Sequence, residues 1–250
     1  MTGPSYLSAM LLTLAFLAAV VSDTTPKAPP TKPSPVKFTG DAGFVSTTGN
    51  SSVQTLNLGD KIVARVDAFT FTQQFGVVHG ESNGATVASS WRGLLRTDMV
   101  VHDNIGMYGS VTYERNTLAG LASRVGTVTG LTAQVLKTKT DKLVFEGGVS
   151  ITTQRGTVAN TGDQDFLGGR AATAFVHQLG PRASFTQSVE LLPNFHESSD
   201  LRINTETALI APFTSKAAVK LSYIVHFDGV PEPGFYSTDR LFTSGLQITL

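Results

Sequence analysis

Cysteine is absent from the 250 residues of this chain. It therefore holds no disulfide, no thiolate metal ligand, no cysteine nucleophile and no lipid-modified cysteine, so any attachment to a membrane has to come from the fold itself. Excess charge of either sign is also missing, because Lys plus Arg and Asp plus Glu balance at 19 each. Without a net positive field there is nothing to gather nucleic acid, and no acidic tail is present. Helix-favouring charged residues are sparse, whereas Thr, Val, Ser and Phe recur at short spacing and glycine is abundant. That profile predicts an all-β chain of many strands. The weakly polar to apolar stretch from Leu7 to Val21 is too short to span a bilayer comfortably as a helix and has the length of the core of a secretory signal.

Val20 and Ser22 are small enough for the positions flanking a cleavage site, so residues 1–22 read as a signal peptide cleaved after Ser22. Residues 23–37 read as a linker. Pro26, Pro29, Pro30, Pro33 and Pro35, with Lys27, Lys32 and Lys37 and almost nothing to bury, make an extended arm. Residues 38–250 remain as one domain.

After Phe38 the pattern has period two, interrupted by turn signals at regular spacing. Tight connections are expected at Gly59-Asp60-Lys61, His102-Asp103-Asn104, Thr140-Asp141-Lys142, Gly180-Pro181-Arg182 and Thr214-Ser215-Lys216. Longer polar connections alternate with them: Gly49 to Ser52, His79 to Gly84, Asn116 to Leu121, Gly156 to Asp163, Glu197 to Ser199 and Gly229 to Ser237. Short turns on one side and long loops on the other are what an outer-membrane barrel requires. The count predicts a single closed antiparallel transmembrane β-barrel of about 12 strands, with both ends of the barrel domain on the short-turn side. Leu201, Ile203, Leu209, Ala211 and Phe213 share one face, opposite Arg202, Asn204 and Glu206, and Leu221 and Tyr223 continue the apolar face opposite Lys220 and Ser222. From Leu201 to Phe213, a rise of about 3.3 Å per residue and a tilt near 40° reach roughly 33 Å, enough to cross an apolar band of about 25 Å. Leu201, Ile203, Leu209, Phe213, Leu221 and Tyr223 are thus expected to face lipid.

From Phe38 to Leu250 the sequence resembles the salt-induced outer-membrane protein family, known as domain of unknown function 481. The likeness is carried by Thr48-Gly-Asn-Ser-Ser-Val-Gln-Thr-Leu-Asn-Leu-Gly59, Tyr113-Glu-Arg-Asn-Thr-Leu-Ala-Gly-Leu121, Phe185-Thr-Gln-Ser-Val-Glu-Leu-Leu-Pro193, Asn204-Thr-Glu-Thr-Ala-Leu209 and Leu221-Ser-Tyr223. The resemblance implies a barrel in the outer membrane of a Gram-negative cell and brings no catalytic residues with it.

Chemistry has little to stand on. His79-Gly-Glu-Ser-Asn-Gly84 followed by Ser89-Ser-Trp-Arg92 superficially resembles the His, Ser and Asn-Gly stretch of the outer-membrane phospholipase A family. A serine nucleophile needs a histidine base in reach and a third group to orient the imidazole. His79 and Ser82 stand three apart, where that family has two, and so fall on opposite sides of a strand. The remaining histidines form no pair at metal-ligand spacing, and the glycines make no phosphate cradle, so neither metal nor cofactor is expected. The informative set is Arg65, Asp67, Arg92, Glu114, Glu146, Glu190, Arg202, Glu206, Lys220 and Asp228, mixed charges on the non-lipid face. Symmetric closure of a hairpin about Ser198 would place Glu190 opposite Glu206, with Lys220 and Arg202 as bridging cations, a lumenal cluster of structural or cation-contacting character.

The reading is a non-enzymatic outer-membrane barrel with a structural, envelope-stress or narrow-channel role and a largely plugged, charged lumen. Its expected partners are outer-membrane lipid, lipopolysaccharide and the barrel assembly machinery. Two alternatives stay open: an outer-membrane lipid hydrolase, and an exported soluble β-protein that binds carbohydrate.

Overall fold

The structure, a computed structural model, describes residues 36–48, 54–82, 85–158, 163–180 and 182–250. Residues 1–35, which carry the expected signal peptide and nearly all of the linker, lie outside the described residues.

Twelve strands follow one another: β1 (Lys37–Thr48), β2 (Gln54–Val66), β3 (Phe69–Ser82), β4 (Ala85–His102), β5 (Ile105–Asn116), β6 (Leu121–Lys137), β7 (Asp141–Gly156), β8 (Asp163–Leu179), β9 (Ala183–Pro193), β10 (Leu201–Pro212), β11 (Ala217–Asp228) and β12 (Thr238–Thr249). Each pairs antiparallel with the next, and β12 pairs with β1, so the sheet closes on itself. At the seam the Phe38 N–H donates to the Leu250 carbonyl at 3.0 Å and the Leu250 N–H to the Phe38 carbonyl at 2.9 Å. Closure leaves no row of unpaired backbone donors and acceptors, which is what lets a sheet stand in hydrocarbon.

Short connections gather at one end of the barrel, and at the other the connections are longer except between β3 and β4, which are two residues apart. Hydroxyl side chains close two of the short ones, and Gly180, at φ 78°, stands in a third. The Thr138 hydroxyl accepts from the Thr140 and Asp141 N–H groups at 3.2 and 2.8 Å, and the Thr214 hydroxyl accepts from those of Lys216 and Ala217 at 3.1 and 2.8 Å. Both are hydroxyl-closed turns of the kind Ser and Thr favour.

One expected turn is misplaced. Gly59-Asp60-Lys61 lies in the middle of β2, and the chain reverses at Asp67 and Ala68 instead. Gly-Asp has turn chemistry, but continuous pairing with both β1 and β3 runs through it. Asp67 takes a φ of 51°, the left-handed region that Asp tolerates better than most residues. The expected loop from His79 to Gly84 is likewise mostly strand, since β3 continues to Ser82. The Glu197–Ser199 connection turns about Glu197 and not Ser198: Leu201 faces Pro193, and Asn194 and Asp200 clamp the loop through an Asn194 Nδ2 to Asp200 Oδ2 bond of 2.8 Å.

The barrel inverts a soluble core. Large apolar side chains point outward and stay exposed, among them Leu95, Leu131, Phe145 and Val149. Leu201, Ile203, Leu209, Leu221 and Tyr223 occupy the outward rows, with Leu209 facing Leu221 and Phe185 across the two ladders, and Phe213 is exposed just beyond β10. Inside, Ser150, Thr152, Arg202 and Ser222 are buried with Tyr108, Phe166 and Ala208.

Candidate functional site

The lumen is crossed by one continuous chain of charged and amide side chains. Its centre is a row read across four strands on the inward face: Tyr108 on β5, Gly130 on β6, Gly148 on β7 and Arg170 on β8. Two long side chains at the ends of this row are brought together by the two glycines between them. A Cβ on Gly130 would come within 2.8 Å of the Gly148 Cα, so neither position accepts a side chain without moving backbone. In the space so kept, Arg170 Nη1 donates to the Tyr108 hydroxyl at 2.8 Å.

From Arg170 the network runs both ways. Its Nη1 meets Glu146 Oε2 at 2.6 Å and its Nε meets Glu190 Oε1 at 2.6 Å. Arg96 on β4 holds the other side of Glu146, with Nη1 to Oε2 at 3.0 Å and Nη2 to Oε1 at 2.6 Å, and also grips Asp98. Arg96 sits over the Tyr108 ring at 4.2 Å. Beyond Glu190, Asn204 Nδ2 donates to Glu190 Oε2 at 2.9 Å, and the His226 ring nitrogen Nδ1 lies 2.7 Å from Asn204 Oδ1. The planar guanidinium fork suits such two-sided carboxylate bridging, which a lysine ammonium cannot reproduce.

Closer to the long-loop end Arg124 bonds Gln154 Oε1 at 2.9 Å and lies 3.5 Å from Asp228 and 3.8 Å from Glu114. Arg202 is only 6 % exposed and stands over the Phe166 ring at 5.2 Å. Cavities of about 270 and 170 Å³ lie beside the network, and Arg92, Glu114 and His226 border both. The loop 229–237 folds over the second: Val230, Pro231, Glu232 and Tyr236 line it. Gly120, at φ 71°, receives this loop, since a Cβ there would meet the Phe235 ring at 2.7 Å.

The expected cluster of Glu190, Arg202, Glu206 and Lys220 divides in three, and only Glu206 and Lys220 stay together. Lys220 Nζ lies 3.1 Å from Glu206 Oε1, which also accepts from the Ser222 hydroxyl at 3.1 Å. Glu190 is bonded instead by Arg170 and Asn204, and among the described residues Arg202 donates to Thr152, at 3.5 Å. The pairing is Glu190 with Asn204 and Glu206 with Ser188, so the two acids are diagonal and not opposite. The cause is the hairpin centre at Glu197: moving the centre by one residue moves every cross-strand pair by two, which keeps the face but changes the neighbour. Arg96, Asp98, Arg124 and Arg170 escaped the sequence reading. Arg96 and Asp98 share the parity of Arg92 on β4 and were open to it. Arg170, between Gly168-Gly169 and Ala171-Ala172, has no alternation around it to reveal its face. Among the described residues, no group of three or more His, Asp and Glu side chains is arranged to hold a metal ion.

A family profile described as "Protein of unknown function, DUF481" matches residues 40–249. No curated protein matches the chain. Among solved structures, the NanC porin in a rhombohedral crystal form is similar at 10 % identity and a TM-score of 0.59, covering 85 % of this chain and 100 % of that one. The translocator domain of the autotransporter NalP from Neisseria meningitidis is 14 % identical with a TM-score of 0.49, covering 97 % and 96 %. The KdgM porin is 10 % identical with a TM-score of 0.49, covering 84 % and 98 %. At 10 % identity the likeness to the NanC porin is one of fold.

Proposed function

Since the chain belongs to the DUF481 family, whose function is unknown, and folds as a closed twelve-stranded barrel, we propose that it is a non-enzymatic outer-membrane protein whose lumen is a narrow, largely occluded passage for water and small ions. Exposed apolar rows around the whole barrel and a polar interior support the membrane placement. In that setting residues 1–22 serve as the export signal, the barrel assembly machinery inserts the strands, and lipid and lipopolysaccharide cover the outward face.

The observation that carries the channel reading is the unbroken bridge from Asp98 through Arg96, Glu146, Arg170, Glu190 and Asn204 to His226, which spans β4 to β11. Eight-stranded barrels are filled by side chains and sixteen-stranded ones hold a water channel. Twelve strands leave an intermediate bore, and here the bridge fills much of it. The cavities of about 270 and 170 Å³ beside it are each large enough for several waters. The test is single-channel recording in planar bilayers, comparing the wild type with Arg96→Ser. Small conductance in the wild type that rises at least severalfold in the variant is expected. A large, open-pore conductance in the wild type, or equal conductance in both, overturns the reading.

A further inference from the structure

The outward face carries a feature that the lumen does not account for. Asp60 stands midway along β2, on the outward row with Gly40 across one ladder and Phe75 across the other. Exposed Leu58 and Ile62 flank it along the strand, and Phe71 and Phe75 lie beside it on β3. One step away on the same face is Gln73, paired with Ile62, whose Oε1 is buried without a hydrogen-bond partner. Asp60 makes no hydrogen bond or ion pair among the described residues. The face treats other polar groups differently: Thr207 on β10 donates to Gln187 on β9 at 2.5 Å, so that outward pair is satisfied within the barrel.

Hydrocarbon offers Asp60 neither donor nor cation, and a polar group at that depth needs a protein partner. The outward arginines of the described strands cannot serve, since Arg115, Arg155 and Arg240 stand at the long-loop ends of β5, β7 and β12. Besides that oxygen the Gln73 amide carries an Nε2 donor, which is complementary to the Asp60 carboxylate, and the two residues lie at nearly one depth. Strands are staggered around the barrel: Phe69, which begins β3, faces Met99, while β4 runs on to His102. The same stagger carries the level of Asp60 on β3 below Phe75 and toward Gln73. Two identical patches brought face to face about a twofold axis along the membrane normal therefore set each donor against the other's acceptor, as an isologous interface demands.

We propose that this face, centred on Asp60 and Gln73, is the contact with a second copy of this chain, Gln73 Nε2 of each protomer donating to the partner's Asp60 carboxylate. The proposal rests on the membrane placement above, and the experiment separates the two. The chain has no cysteine, so Ile62→Cys introduces a single reporter beside the patch. The barrel is refolded into phosphatidylcholine and phosphatidylglycerol liposomes, insertion is checked by flotation and by heat-modifiable migration on a gel, and the cysteines are oxidised. A disulfide-linked dimer is expected. Gln73→Glu, which sets acid against acid, should lower its yield at least tenfold. Asp60→Asn combined with Gln73→Glu exchanges donor and acceptor and should restore it. If Gln73→Glu fails to insert, Asp60→Leu removes the acceptor while making the face more apolar, and it too should abolish the crosslink. Failure of the wild-type barrel to float with liposomes overturns the membrane placement. Insertion without crosslinking, crosslinking only to added foreign barrel protein, indifference to the substitutions, or no recovery in the double variant overturns the interface alone.

Discussion

Arg170→Ala removes the side chain on which three contacts converge, and it tests whether the lumenal bridge is a structural tie or a decoration. Arg170 holds Glu146 and Glu190 at 2.6 Å each and the Tyr108 hydroxyl at 2.8 Å. The side chains of Arg170, Glu146 and Glu190 are 15, 14 and 19 % exposed, so the acids left behind are poorly hydrated. Breaking a buried pair by deleting one partner costs about 3–5 kcal/mol. Glu146 keeps Arg96 and Glu190 keeps Asn204, and water enters the space vacated, so the loss should fall to about 2–3 kcal/mol. Arg170→Lys restores the charge but cannot meet two carboxylates and a hydroxyl from one fork, and should recover less than half of that loss. The assay is urea unfolding of the barrel in liposomes, followed by the fluorescence of Trp91, the sole tryptophan, which stacks on Tyr113 on the outward face at 4.5 Å. A loss below about 0.5 kcal/mol for Arg170→Ala, within the range of an exposed ion pair, would refute the claim that the bridge holds the barrel wall together. So would full recovery by lysine.

Three further outcomes follow from the same geometry. Leu209→Arg places a charge on the outward face and should cost about 2–4 kcal/mol if it lies near the bilayer middle, whereas Asn204→Arg, beside Glu190 in the lumen, should fold with higher yield; comparing refolding yields in liposomes checks the difference. Gly148→Val forces a side chain against the Gly130 backbone and wedges Arg170 away from Tyr108, and an overpacking cost of about 1–3 kcal/mol is expected in the same urea assay. Lys220→Ala should lose only about 0.5–1 kcal/mol there, because Glu206 is 38 % exposed and its bond from Ser222 survives.

The strand count, the antiparallel order and the inward or outward assignment of β9, β10 and β11 were legible because apolar and polar residues alternate along much of each strand and their ends carry turn chemistry. Periodicity is a local signal and reports a face well. It reports a neighbour poorly, because the partner of a residue depends on where the hairpin turns. The Asn194–Asp200 clamp settles that for Glu190 and Glu206, and nothing in the alternation reveals the clamp. At β2 the same reading failed for the opposite reason, since Gly59-Asp60-Lys61 has the composition of a turn while pairing on both sides keeps it extended. Across the lumen, Arg96 and Glu146 meet although they stand 50 positions apart, a contact created by the curvature of the closed sheet and by the absence of side chains at Gly130 and Gly148.

The seam between β1 and β12 gives the fold an all-or-none character. Its ten paired positions join segments about two hundred residues apart, so almost the entire barrel lies within the loop that the seam closes. Chain entropy makes that a modest cost, since each doubling of a loop adds only about 0.6 kcal/mol. The steeper penalty falls on any state in which the seam is parted, because two strand edges then present their unpaired amides and carbonyls to hydrocarbon at several kcal/mol per group. A half-built barrel is therefore not half as stable. Losing either seam strand exposes an edge on each of its neighbours, and closing the circle repairs both at once.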